Sequence, residues 1–294
     1  MSDPVALTAR AGVAGHDLVG WMMWDLRAIA GYQALGVPDG IGWIVAWRLA
    51  SLGDVNPGVA AAVAYSINPS VVRNVMKLYQ DAIDVDSILD VRDAAVQPGL
   101  DEIAPGLSGG LAELAAPLRR GVDAVHFGAR PMFAAHRELP RPEETNSALS
   151  AWLAANCLCE LRGDNHWALC ASEDLDDVEV GLLHSGMVDI EEHGSEEWIA
   201  RSRGNDDEAI AAAWARLEVK GLASGGAVSD EGRRFRLDLE ARTAPAWDAV
   251  GAEATRAFCE LIEPHHHAFV ARIDATAGPR WMPAVRVKVR QSDA

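Results

Sequence analysis

Much that a 294-residue chain could carry is missing here. No basic stretch followed by an apolar run opens it, and every apolar stretch is broken by Gly, Pro, Asn or charge before about 18 residues. Neither export nor a membrane span is therefore expected. Cysteine is sparse: Cys157, Cys159, Cys170 and Cys259 form no CxxC pair and no framework spacing, which points to a reduced, cytoplasmic protein in which they pack as small hydrophobes. No phosphate loop, dinucleotide-binding fingerprint or nucleophile elbow is present, and the sequence leaves any cofactor unknown. Runs of Lys and Arg are absent too, and a net charge of −17 opposes binding to phosphate backbones or anionic lipid. Alternating β-branched runs are nearly absent before residue 280.

What remains is helix. A composition 49% hydrophobic with a mean hydropathy of zero is globular and large enough to bury a core without staples. From His16, apolar residues recur at three and four positions through Leu18, Val19, Met22, Leu26 and Ile29, with Trp21 and Trp24 widening the stripe and Gly36 and Pro38 closing it. Asp39 is placed to cap a second helix, Ile41 to Leu52, which Gly53 stops. Asn56-Pro57 and Asn68-Pro69 each set a capping side chain before a proline at the first helical position. Helices are expected over Asp84 to Ile103 and, after the PGLSGG turn, Leu111 to Arg137, with Pro117 and Pro131 kinking or restarting the latter. On that helix His126, Arg130, Phe133 and Arg137 would share a face, either as a base with two cations or as a solvated basic edge.

The ELPRPEE segment, Glu138 to Glu144, reads as a linker. Beyond it come helices over Thr145 to Leu161, Leu175 to Met187, Ser195 to Arg201 and Asp206 to Lys220, a short ribbon over Gly221 to Ser229, and a helix from Asp230 past Arg242. Helix, helix, helix, ribbon, helix is winged-helix order. The expected fold is mainly α: an N-terminal helical bundle (1–140) packed on a winged-helix-like part (145–275) with one small β-ribbon, then a tail (276–294). A last helical region, Trp247 to Ala271, precedes Val285, Val287 and Val289, whose alternation suggests a strand.

The densest set of acid, base and hydrogen-bonding groups lies between Glu160 and His184, in ELRGDNHWALCASEDLDDVEVGLLH. Gly163, Asp164 and Asn165 carry turn chemistry, and a reversal there would present Arg162, Asp164 and His166 together. His166 would act as general acid or base with Asp164 orienting it and Glu160 nearby; Arg162, His184, His126, Arg130 and Trp24 would hold a substrate. Trp21, Trp43, Trp47, Met22 and Met23 could wall the same pocket, or simply fill a core. The structural alternative is that Arg162 and Asp164 pair with each other and His166 caps a helix. The triplet His265-His266-His267 is a weak metal motif, because consecutive helical residues point about 100° apart and at most two can reach one ion.

The segments GARPMFAAHRELPRP (128–142), CELRGDNHWAL (159–169), VGLLHSG (180–186) and LEVKGLASGGAVSDEGRRFR (217–236) resemble an actinobacterial helix-turn-helix family with an Arg-Gly-Asp-Gly-His turn and a MarR-like wing. The resemblance extends to the N-terminal helices, and it implies a MarR-like fold whose long terminal helices pair into a homodimer. It carries no established activity. His136 stands where that family would have Asn, and Asn165 where it would have Gly.

The helix that would enter a DNA groove opens Asn205-Asp206-Asp207-Glu208, and the Gly221 to Ser229 wing carries no Lys or Arg. Between residues 156 and 243 there are 9 Lys and Arg against 20 Asp and Glu, a net of −11. Two readings stay open. One is a small-molecule protein, binder or cofactor-independent acid/base enzyme, with DNA binding lost and a site between the two parts; the other is a ligand-responsive regulator of MarR-like type.

Overall fold

The computed structural model describes residues 4–38, 46–187 and 195–277. The expected second helix lies partly outside these residues, with Asp39 and Trp43, and so does the tail with its alternating valines. Within them the chain is mainly α with one two-stranded antiparallel ribbon, as the periodicity predicts.

Helix α1 (Pro4–Gly20) gives way to a 3₁₀ turn (Trp21–Trp24) and then α2 (Leu26–Ala34), where one continuous helix is expected. Asp25 causes the break. Its backbone is extended (φ −66°, ψ 123°) and its buried carboxylate accepts from the Arg27 and Ala28 amides at 2.9 and 3.1 Å, capping α2. Residues 46–49 are helical and pass into a 3₁₀ turn (Ala50–Leu52) that Gly53 ends at φ 63°. Helices α3 (Pro57–Ala64) and α4 (Pro69–Ala82) start as expected, with Asn56 and Asn68 accepting from the Gly58 and Ser70 amides. Asp84 caps α5 (Val85–Ile103).

Helix α6 (Leu107–Ala124) begins inside the PGLSGG segment and stops short of the expected end; α7 (Pro131–Glu138) restarts at Pro131. The shared face of His126, Arg130, Phe133 and Arg137 therefore does not form.

The spine is α8 (Ala148–Ser172), 25 residues running straight through Gly163-Asp164-Asn165. The turn expected there is absent. Gly, Asp and Asn each cost up to about 1 kcal/mol in a helix interior, yet burial of Trp152, Ala155, Leu158, Leu161 and Cys170 on both flanks outweighs that local preference. Beyond it lie α9 (Asp177–Ser185), opened by a capping box of Asp176 and Glu179, then α10 (Trp198–Ser202) and α11 (Asp207–Val219). The ribbon β1 (Ala223–Ser224) and β2 (Ala227–Val228) pairs Ser224 with Ala227 across Gly225 and Gly226, both at positive φ as a two-residue hairpin demands. Helix α12 (Asp230–Thr243), a 3₁₀ stretch (Ala244–Val250), α13 (Ala252–Ile262) and α14 (His266–Ala277) complete the order.

Two cores result. The larger takes Leu7 to Leu161 and also Ala246 to Ile273, because α13 and α14 fold back onto α1 and α6; the smaller runs from Cys170 to Leu239. Helix α8 feeds the first with its N-terminal turns and the second with Cys170, so residues 160–169 sit at the seam. Among the described residues no helix is long and apolar enough to cross a membrane.

Candidate functional site

A helix presents i and i+4 on one face, so α8 divides its polar residues into two rows: Glu160 with Asp164, and Arg162 with His166 and Cys170. Both carboxylates of the first row are matched. Arg48 Nε and Nη2 donate to the two Glu160 oxygens at 2.8 Å each, a bidentate pair. Burial opposes Glu160 ionisation, but the Arg48 charge and hydrogen bonds overcome it and hold this carboxyl below its ordinary range. Asp164 accepts from the Phe133 and Met132 amides at 2.8 and 3.4 Å, capping α7 from a neighbouring helix, and burial raises its pKa to about 6. Behind them His136 sits 3.1 Å from Asn156 Nδ2 and 3.2 Å from the Arg48 carbonyl. One tautomer satisfies both contacts: Nδ1 accepts from the amide while Nε2–H donates to the carbonyl. Burial keeps this ring neutral, with a pKa near 4.

The second row is not matched. Arg162 and Arg236 both pair with Glu240, one carboxylate for two guanidiniums. Arg236 Nη2 donates to His184 Nδ1 at 3.1 Å, which leaves the His184 ring proton on Nε2. His166 Nε2 stands 3.6 Å from Cys170 Sγ, a thiol that burial pushes up to about 11. Whichever of the two donates in that contact, His166 Nδ1 is buried with no partner among the described residues. The Nε of Arg236 and the indole N–H of Trp167 are buried without acceptors as well. Arg203, at the end of α10, has neither a carboxylate nor an acceptor among the described residues, and burial and then Arg48 lower its pKa to about 10. Helix α1 covers the cluster: a Cβ on Gly12 would stand 3.5 Å from Arg162 Nε, and His16, one turn on, is held neutral by burial and the Arg162 charge, near pKa 3.

Burial, reinforced by Arg236, likewise depresses His166 and His184. Arg162, Arg203, His16 and His184 are each half-buried and keep some accessible surface.

The structure brings Glu160, Arg162, His166 and His184 to the seam, but not as a turn and not with Asp164 beside His166. Arg162 pairs with Glu240, not with Asp164. Arg130, which precedes α7, donates from Nε to Asn165 at 3.0 Å on the margin of the first row. His126 is exposed between α6 and α7, accepting from the Gly128 amide at 3.2 Å. Trp24, Trp21, Met22 and Trp47 belong to the larger core, and Gly99 lets Trp21 seat where a Cβ would come within 2.4 Å of its ring. His266 Nδ1 turns onto buried Asp17 at 2.9 Å. Among the described residues no three His, Cys, Asp or Glu gather as a metal group would.

A family model described as a helix-turn-helix family matches residues 9–276. The chain belongs to that family. No curated protein and no solved structure matches this helix-turn-helix protein. A shallow hollow of about 390 Å³ between α3, α4 and the start of α9, lined by Ala61, Tyr65, Arg73 and Asp176, contains none of the residues singled out from the sequence. The seam residues of this helix-turn-helix protein that sequence reasoning missed are Arg48, Arg203, Glu240, His16 and Cys170. For Cys170 a signal existed: read as helix, Arg162, His166 and Cys170 line up at four-residue spacing. For the others the pairings span up to 112 residues and leave no local trace.

Proposed function

We propose that this protein binds a small molecule at the seam, in a recess between α1, α8, α9 and α12. The observation that supports this is the surplus of buried donors in the second row of α8. Unpaired buried polar groups cost about 1 to 3 kcal/mol each, and they are retained in folded proteins where a ligand or ordered water completes them. Helices α9 to α12 with their ribbon follow winged-helix, MarR-like order, and we read this part as scaffold with DNA binding lost. Helix α11 would enter the groove, yet Asp206 caps it, Asp207 and Glu208 fill its first turn, and Arg216 is held by Asp176 and Glu179. The protein is proposed to be cytoplasmic and to pair into a homodimer. If it is an enzyme, His166 is the acid/base group, neutral at pH 7 and positioned by Cys170, with Asp164 reserved for the start of α7.

Native mass spectrometry of freshly purified protein tests this reading and reports stoichiometry. A bound small-molecule mass that is lost in Arg236→Gln is expected; wild-type protein free of any adduct and unresponsive to a metabolite extract would sink it. The family match favours a second reading, a ligand-responsive regulator. Salt-dependent retention of the protein on duplex DNA would revive that reading, and absence of retention at low salt removes it.

A further inference from the structure

We propose that the recess lined by Arg162, Arg203 and Arg236 is a site for a small dianionic oxyacid, a dicarboxylate or a phosphate monoester. This rests on the seam being a small-molecule site, and goes on to name the ligand's chemistry. Arg162 and Arg236 share the single carboxylate of Glu240, and Arg203 has none among the described residues. The neighbouring acids are committed elsewhere: Glu160 to Arg48, and Asp164 to the α7 amides. Among the described residues three guanidiniums therefore meet one carboxylate in direct contact, a local surplus of two cations, inside a chain whose net charge is −17. Buried cations in surplus are costly, and a ligand that carries the missing charge relieves the cost.

The groups facing this surplus are donors. Arg236, 5% exposed, has an unpartnered Nε; His166, also 5% exposed, has an unpartnered Nδ1; His184 keeps its proton on Nε2. Guanidiniums present paired N–H groups in the geometry that carboxylate and phosphate oxygens accept. The imidazoles are neutral, so they donate to an anion without adding further repulsion among the arginines. A monoanion would leave one cation unmatched. A nucleic-acid backbone is disfavoured, because α1 packs against Arg162 and the acidic exterior repels it.

The imidazole ¹⁵N resonances of His166 and His184 in the full chain, titrated with succinate, inorganic phosphate, acetate and the neutral isostere succinamide, test the assignment. Saturable shifts are expected with succinate or phosphate, the better of the two identifying the oxyacid class, and acetate and succinamide should bind roughly tenfold or more weaker. Arg203→Gln removes a cation that has no partner among the described residues, so the fold should survive while affinity for the dianion falls by a similar factor. An equal response to succinamide and succinate, or affinity unchanged in Arg203→Gln, overturns the dianion while leaving a recess for neutral molecules. No response to any probe overturns it too, and the broader reading then depends on the native mass spectrum alone.

Discussion

The two polar rows of α8 occupy the same helix, one residue pair apart, and differ in one respect. Around Glu160 and Asp164 the charged groups meet partners within the protein, guanidinium with carboxylate, carboxylate with helix amides and imidazole with amide and carbonyl, although the Asn156 side-chain oxygen is buried without a partner among the described residues. Around Arg162 and His166 cations outnumber acids and donors lack acceptors. Both rows look alike as composition. Only the matched one reads as structure, and the unmatched one is where something from outside would complete the protein.

The largest effect should come from breaking the matched row. Glu160→Ala leaves Arg48 buried beside no carboxylate and should cost about 3 kcal/mol or more in urea unfolding, whereas Arg203→Gln in the other row should cost less than about 1 kcal/mol. Equal losses would abolish the contrast between the rows.

Acidification should act next, on both rows together. Burial depresses the folded pKa of His16, His136, His166 and His184 below the ordinary 6.5, so the folded state holds fewer protons there than the unfolded chain. Stability from these groups is complete above pH 6.5 and is lost as pH falls, by about 1.4 kcal/mol per unit for each. Asp17 and Asp164, both raised to about 6, work in the opposite sense below that pH, since the folded state then holds the extra proton. Four against two leaves a net loss of a few kcal/mol between pH 6.5 and 5. A flat urea midpoint over that range would show that the imidazoles are not sealed from water. Saturation of the unmatched row with its ligand should make the decline steeper at His136 than at His166 and His184, because an anion favours protonation of the latter two.

A smaller effect is expected from Asp164→Ala, which removes the acceptor for the Phe133 and Met132 amides and should cost about 1 to 2 kcal/mol. Faster hydrogen exchange at Phe133, with the His184 resonances unmoved, would place Asp164 wholly in the matched row; a shift at His184 would join the rows. The smallest change should follow Asp207→Ala with Glu208→Ala at the start of α11, within about 0.5 kcal/mol of wild type and without gain of DNA retention.

Element types were largely legible in the chain. Three-and-four apolar spacing, the Asn-Pro starts and the glycine-rich Gly221 to Ser229 segment are local signals, and α3, α4, α5 and the ribbon stand where those signals put them. Continuity was not legible, because it depends on burial. Asp25 breaks a helix whose apolar stripe runs on, since its carboxylate finds two amides and, from α14, Arg272 at 2.7 Å. Gly163-Asp164-Asn165 stays helical against its turn chemistry, since both flanks of α8 are locked into cores. The candidate site divides in the same way. Sequence alone determined that acids, arginines and histidines crowd Glu160 to His184. Tertiary structure decided which of them were matched, because Coulomb and hydrogen-bond energies depend on distance in space, and the partners that settle the question, Arg48, Arg203, Arg236 and Glu240, come from segments that only the packing of the two cores brings to α8.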